Sequence, residues 1–105
     1  MRMIEIQGEV EYGERGQIPR PGIVKLDVST AMQIPVFRIR VRTPEGQHVQ
    51  VLYKGDPPGN ADMGDEVLVR GIDRGGVINA RSIYNLTTGS WVTPAPGILQ
   101  RLFKD

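Results

Sequence analysis

The stretch Val36-Phe37-Arg38-Ile39-Arg40-Val41-Arg42 decides how the chain is read. Phe37, Ile39 and Val41 alternate with Arg38, Arg40 and Arg42. Successive side chains of an extended strand point to opposite faces, so the alternation puts an apolar row on one face and guanidinium groups on the other. A helical period does not fit this spacing. Thr43-Pro44-Glu45-Gly46 follows, with proline and glycine where a tight reversal needs them. Beyond it, Val49, Val51 and Tyr53 alternate with His48, Gln50, Leu52 and Lys54, so residues 48–54 read as the return strand of a hairpin.

Working outward, the same alternation recurs on both sides. Ile4, Ile6, Gly8 and Val10 alternate with Glu5, Gln7 and Glu9, which predicts a first strand. Residues 12–22 read as a loop carrying Tyr12, Arg15 and Arg20, and residues 23–28 as an accessory strand. Downstream, residues 55–64 read as a loop, because the adjacent Pro57 and Pro58 oppose a long helix. Residues 65–71 predict a fourth strand, Asp73-Arg74-Gly75-Gly76 a turn, and residues 77–86 a fifth strand. Apolar spacing slips between Ala80 and Ile83, which predicts a bulge near Arg81-Ser82. Residues 87–97 read as an exit segment, and residues 98–103 as one or two helical turns. The expected core is Ile4, Ile6, Val10, Phe37, Ile39, Val41, Val49, Val51, Val67, Val69, Ala80 and Ile83.

Composition narrows the function classes. A chain of 105 residues with 39% hydrophobic content suits one domain with one modest core. Its 13 Gly and 8 Pro are spread along the chain, as expected of short elements joined by turns. The 13 basic and 12 acidic side chains leave a formal charge of +1, so only the placement of charge bears on a polyanionic partner. There is no Cys, which excludes disulfides, thiolate metal sites and Cys nucleophiles. His48 is the single His, so a zinc site of usual composition is not expected. Asp56, Asp62, Asp65 and Glu66 lie close together, but Pro57-Pro58-Gly59 breaks the spacing of a calcium loop, and turn and capping roles are expected instead. Neither a catalytic triad pattern, nor a phosphate-cradling glycine loop, nor a dinucleotide fingerprint occurs, so no enzyme and no cofactor are expected. No apolar run approaches the ~20 residues of a membrane span. The first residues lack the apolar stretch of a signal peptide, and a cytoplasmic protein or an excised domain of a larger one is expected.

The segments from residue 36 to residue 86 resemble the OB-fold superfamily. The resemblance is carried by Val36-Phe37-Arg38-Ile39-Arg40-Val41, the turn at Gly46, Val49-Gln50-Val51 and Lys54-Gly55. It continues through Gly64-Asp65-Glu66-Val67, Val69-Arg70-Gly71 and Gly75-Gly76-Val77-Ile78-Asn79-Ala80. The pattern is similar to OB domains of single-stranded DNA-binding and replication-protein-A-related proteins. It implies an all-β, five-stranded Greek-key OB-fold barrel over residues 1–88, with residues 89–105 as a short C-terminal extension. It also implies a binding groove on the outer face of the second and third strands, flanked by two loops.

On that groove the resemblance places Arg38, Arg40, Arg42, His48, Gln50 and Lys54, with Arg15, Arg20 and Arg74 from the flanking loops. Arginines two residues apart along a strand repeat at ~6.5–7 Å, close to the phosphate spacing of an extended single strand. Tyr12 is the expected stacking ring, since Phe37 and Tyr53 fall on the apolar register. The expected function is single-stranded DNA or RNA binding. The alternative is a protein-interaction or assembly domain, favoured by the near-neutral charge, the scarcity of aromatics and the apolar Ile98, Leu99, Leu102 and Phe103. An ordinary solvated strand face would carry the same arginines.

Overall fold

Residues 33–42 are extended, with the apolar and basic rows on opposite faces, as the alternation requires. The computed structural model describes residues 2–19 and 33–95. Its strands are β1 (Met3–Pro19), β2 (Gln33–Arg42), β3 (His48–Lys54), β4 (Glu66–Arg74), β5 (Val77–Asn85) and β6 (Ser90–Trp91). Among the described residues there is no helix.

The pairings of β1 to β5 close into a ring. β2 pairs antiparallel with β3, and β4 with β5. The first half of β1 pairs with β4 from Met3 opposite Ile72 to Glu9 opposite Glu66, and the second half pairs with β2 from Glu9 opposite Arg42 to Pro19 opposite Gln33. A short parallel pairing of Gln50–Leu52 with Val77–Asn79 joins β3 to β5. The result is a barrel-like sheet in which each of the five strands has two neighbours.

Glycines set the sharp points of the ring. β1 changes partner at Gly8, where a Cβ would run into the Arg42 carbonyl and the Val41 side chain. Gly75 and Gly76 form the two-residue turn between β4 and β5, both with φ in the left-handed region (65° and 93°). The Asp73 carboxylate accepts the Gly76 N–H at 2.9 Å and holds that turn.

The core lies inside the ring. Val10, Phe37, Ile39, Val41, Val51, Val67, Val69, Ala80 and Ile83 are buried in it, and Ile4, Ile6 and Val49 pack against it half-buried. All twelve residues named from the sequence therefore belong to the core or its margin. Ala61, Ile78 and Val92 join them.

Two segments differ from the sequence reading. Residues 12–19, expected as loop, are the second half of β1. The positions opposite the buried Ile39 and Phe37 carry Gly13 and Arg15, both exposed, in place of apolar residues, so the strand has no period to read; β2 supplies the hydrogen-bonding partner that makes it one. Arg20 and the expected accessory strand at 23–28 lie outside the described residues, as do residues 98–103.

The segment after β5 also differs. Instead of leaving the sheet, β6 returns to pair with β5. Val92 is fully buried and its N–H donates to the Ile83 carbonyl at 2.9 Å, while the Gly59 N–H donates to the Val92 carbonyl at 2.8 Å. The Ile83 N–H donates to the Thr93 hydroxyl at 3.0 Å. Proline prevents a central strand here, but an apolar residue at 92 still plugs the core. Trp91 sets its ring edge-on to Tyr84, centroids 4.9 Å apart.

Asn85 ties three segments together. Its fully buried amide donates to the Asn60 carbonyl at 3.1 Å and to the Asp65 carboxylate at 2.8 Å. Its oxygen accepts the Thr87 and Thr88 N–H groups at 3.0 and 3.1 Å. Asp65 also accepts the Asp62 N–H at 2.9 Å, the capping role expected of this acidic run.

Candidate nucleic-acid interface

The outer face of β1, β2 and β3 is a cross-strand charge ladder. Arg42, Arg40 and Arg38 descend β2, and each meets a glutamate of β1. Arg42 reaches Glu9 at 2.8 Å, Arg40 reaches Glu11 at 3.3 Å, and Arg38 reaches Glu14 at 3.7 Å. A register shift between Val10 and Tyr12 brings this about, because the extra residue is Glu11. His48 Nδ1 lies 2.7 Å from the same Glu11 oxygen. That hydrogen bond, followed by the fields of His48, Arg40 and Arg42, holds the Glu11 carboxyl below the ordinary glutamate range, against desolvation. The three arginines thus share one exposed face as expected, yet each already has an anion beside it.

The other expected residues are divided. Tyr12 is 47% exposed on β1 and its hydroxyl donates to Glu14, which raises the phenol pKa. Gln50 is exposed on β3 opposite Arg40. Arg15, read from the sequence as a groove residue, is a clamp on the loop between β3 and β4. Its guanidinium donates to Asp56 at 2.9 Å, to the Pro57 carbonyl at 3.2 Å and to the Gly59 carbonyl at 3.0 Å. It also lies 5.2 Å from the centre of the Phe37 ring. Arg74 is the last residue of β4 and flanks the Gly75–Gly76 turn that it was read as part of.

Lys54 and Arg74 come together in a cleft of about 340 Å³, lined also by Leu52, Asn79 and Arg81. The cleft opens where the parallel β3–β5 pairing stops, after Leu52 and Asn79. There β5 carries the bulge read from its apolar slip. Gly71 pairs with Ala80 and Arg70 with Ser82, so Arg81 is the extra residue, and it lines both this cleft and the neighbouring hollow of Met3, Arg70 and Ser82. Among the described residues, no carboxylate lies within 4.0 Å of the Lys54, Arg74 or Arg81 charge, unlike those of the ladder. Arg81 was missed as a site residue; the bulge at its position was the signal that could have found it.

No family model matches the chain, and neither curated proteins nor solved structures give a match.

Proposed function

We propose that this chain is an OB-type Greek-key barrel that binds single-stranded nucleic acid across the outer faces of β2, β3 and β5. The observation that carries the reading is the β3–β5 cleft, where Lys54, Arg74 and Arg81 present positive charge with, among the described residues, no carboxylate beside it. Two features of the ring support the OB assignment: the long β1 shared between β2 and β4, and the parallel contact between β3 and β5. The sequence of residue types across the cleft also fits a single strand. Leu52 offers an apolar surface for a sugar or base, Asn79 offers an amide, and the cations offer partners for phosphate. The centre of binding lies at β3 and β5, since phosphate at β2 has to displace a glutamate from each arginine.

Fluorescence anisotropy with mixed-sequence DNA and RNA single strands, across a salt series, tests the reading. Changing Lys54, Arg74 and Arg81 together to Gln removes three cations and should flatten the log-affinity against log-salt slope by about two units. Binding that is absent at low ionic strength, or a slope that the triple variant leaves unchanged, overturns it. The row of half-buried Leu68, Tyr84 and Trp91, neighbours across β4, β5 and β6, is then the surface on which a protein partner is to be sought.

A further inference from the structure

The cleft holds more charge than an internal phosphate can use. A phosphodiester carries one negative charge, whereas Lys54, Arg74 and Arg81 bring three positive charges to one cavity. A phosphomonoester carries close to two negative charges at neutral pH and has three acceptor oxygens. Arginine matches such a group with paired N–H donors, and lysine adds a point charge.

The position of the cleft fits the end of a strand. In register, Arg38 of β2 stands opposite Leu52 of β3, and Leu52 stands opposite Asn79 of β5. A chain lying along the Arg42–Arg38 ladder therefore arrives at Leu52 and then at the cleft. Past Arg81 the surface changes character. It carries Met3, Ser82 and the Arg70–Glu5 pair at 3.7 Å, where the guanidinium again has a carboxylate beside it. The one nearby acid of the turn, Asp73, directs its carboxylate to the Gly76 N–H. At about 340 Å³ the cleft is also of a size to take one nucleotide unit.

We infer that the β3–β5 cleft recognises a phosphomonoester at the end of a nucleic-acid strand, held by Lys54, Arg74 and Arg81 with Leu52 beneath the terminal sugar or base. The inference rests on the strand-binding reading above and adds a preference for the strand end. Isothermal titration of the full chain with one short single strand in three forms tests it: 5′-phosphorylated, 3′-phosphorylated and hydroxyl at both ends. Adenosine monophosphate and inorganic phosphate are titrated alongside.

One phosphorylated form should bind at least about tenfold more tightly than the hydroxyl form, the worth of one added charge-assisted hydrogen bond. Arg81→Gln should remove that gain with an unchanged melting temperature, since Arg81 is exposed on a bulge. Equal affinity for the three strands overturns the inference and leaves strand binding standing. A gain that survives Lys54→Gln, Arg74→Gln and Arg81→Gln places the end elsewhere and overturns it too. Free nucleotide binding as tightly as the phosphorylated strand overturns the strand-end assignment. Binding of no strand at all overturns this inference and the proposed function together.

Discussion

Replacing Glu9, Glu11 and Glu14 together by Gln separates the two halves of the proposed surface. In the native chain Arg42, Arg40 and Arg38 each lie within 4.0 Å of one of these carboxylates. A phosphate that docks there trades one anion for another, and the exchange releases no counterion. Binding in low salt should then show mainly the cleft, whose three cations contribute about 0.7 each, a slope near two units. Gln keeps the shape of each Glu and removes its charge. Three guanidinium groups are set loose on one face, spaced along β2 by two residues, and each can gain one phosphate. The slope should steepen by about two further units, to about four. Stability should change little, with a melting shift of no more than a few degrees, because the Glu9 and Glu14 pairs are exposed and only Glu11, 18% exposed, is largely covered. The assay is anisotropy at five or so salt concentrations, with thermal melting as the control. A slope equal to the native one within about half a unit would refute the reasoning, because the ladder would then lie off the path of the strand.

Other consequences concern the frame that holds the site. Asn85 is itself buried, so Asn85→Ala strips four part-buried hydrogen bonds that join three segments and should cost about 2–4 kcal/mol in urea unfolding; a loss below about 1 kcal/mol would show that water replaces the amide. The Asp65 carboxyl is held below the ordinary aspartate range, first by the Asp62 N–H and then by the Asn85 amide, against desolvation. A lowered folded pKa contributes stability above the unfolded value of about 3.9 and loses it as pH falls through the folded one. Asp65 should thus titrate below about pH 3.9 by NMR, and stability should decline over the same interval; titration at or above that value contradicts the hydrogen-bond account. A chain ending at residue 88 should be less stable than one ending at residue 95 by at least about 2 kcal/mol, the value of burying Val92 alone, and equal denaturation midpoints would return residues 89–95 to the status of a linker.

The β2–β3 hairpin was legible because one face is apolar, the other is polar from Arg38 to Gln50 with Leu52 as the exception on β3, and the turn residues agree with both. The bulge in β5 was legible for a related reason: the apolar positions Ala80 and Ile83 are out of step, and only an extra residue reconciles them with a single buried face. The second half of β1 was not, because Gly13 and Arg15, both exposed, occupy the positions opposite Ile39 and Phe37, and a strand whose partner supplies the apolar contact shows no period of its own. The ladder was half legible. Its arginines follow from alternation, but their pairing with Glu9, Glu11 and Glu14 depends on a one-residue register shift at Glu11 that nothing in the spacing announces. Lys54 and Arg74 were named for separate reasons, on a strand and in a turn. Their meeting with Arg81 depends on where two parallel strands part, which is a property of the closed ring. Asn85 reads as an ordinary strand residue, since its partners lie in the loop before β4, at the start of β4 and in the turn after β5.

Because β1 serves two partners, the order in which the ring can assemble is restricted. The β4–β5 hairpin needs only its two-residue turn and the β2–β3 hairpin a turn of a few residues, and such units form in about 1–10 μs. The pairing of Met3 with Ile72 joins residues about 70 positions apart and costs more closure entropy than either hairpin. On a ribosome adding about 5–20 residues per second, the first half of β1 stands without its β4 partner for roughly 4–14 seconds. Ile4 and Ile6 are uncovered throughout that interval. Pauses in translation between β2 and β4 would lengthen it.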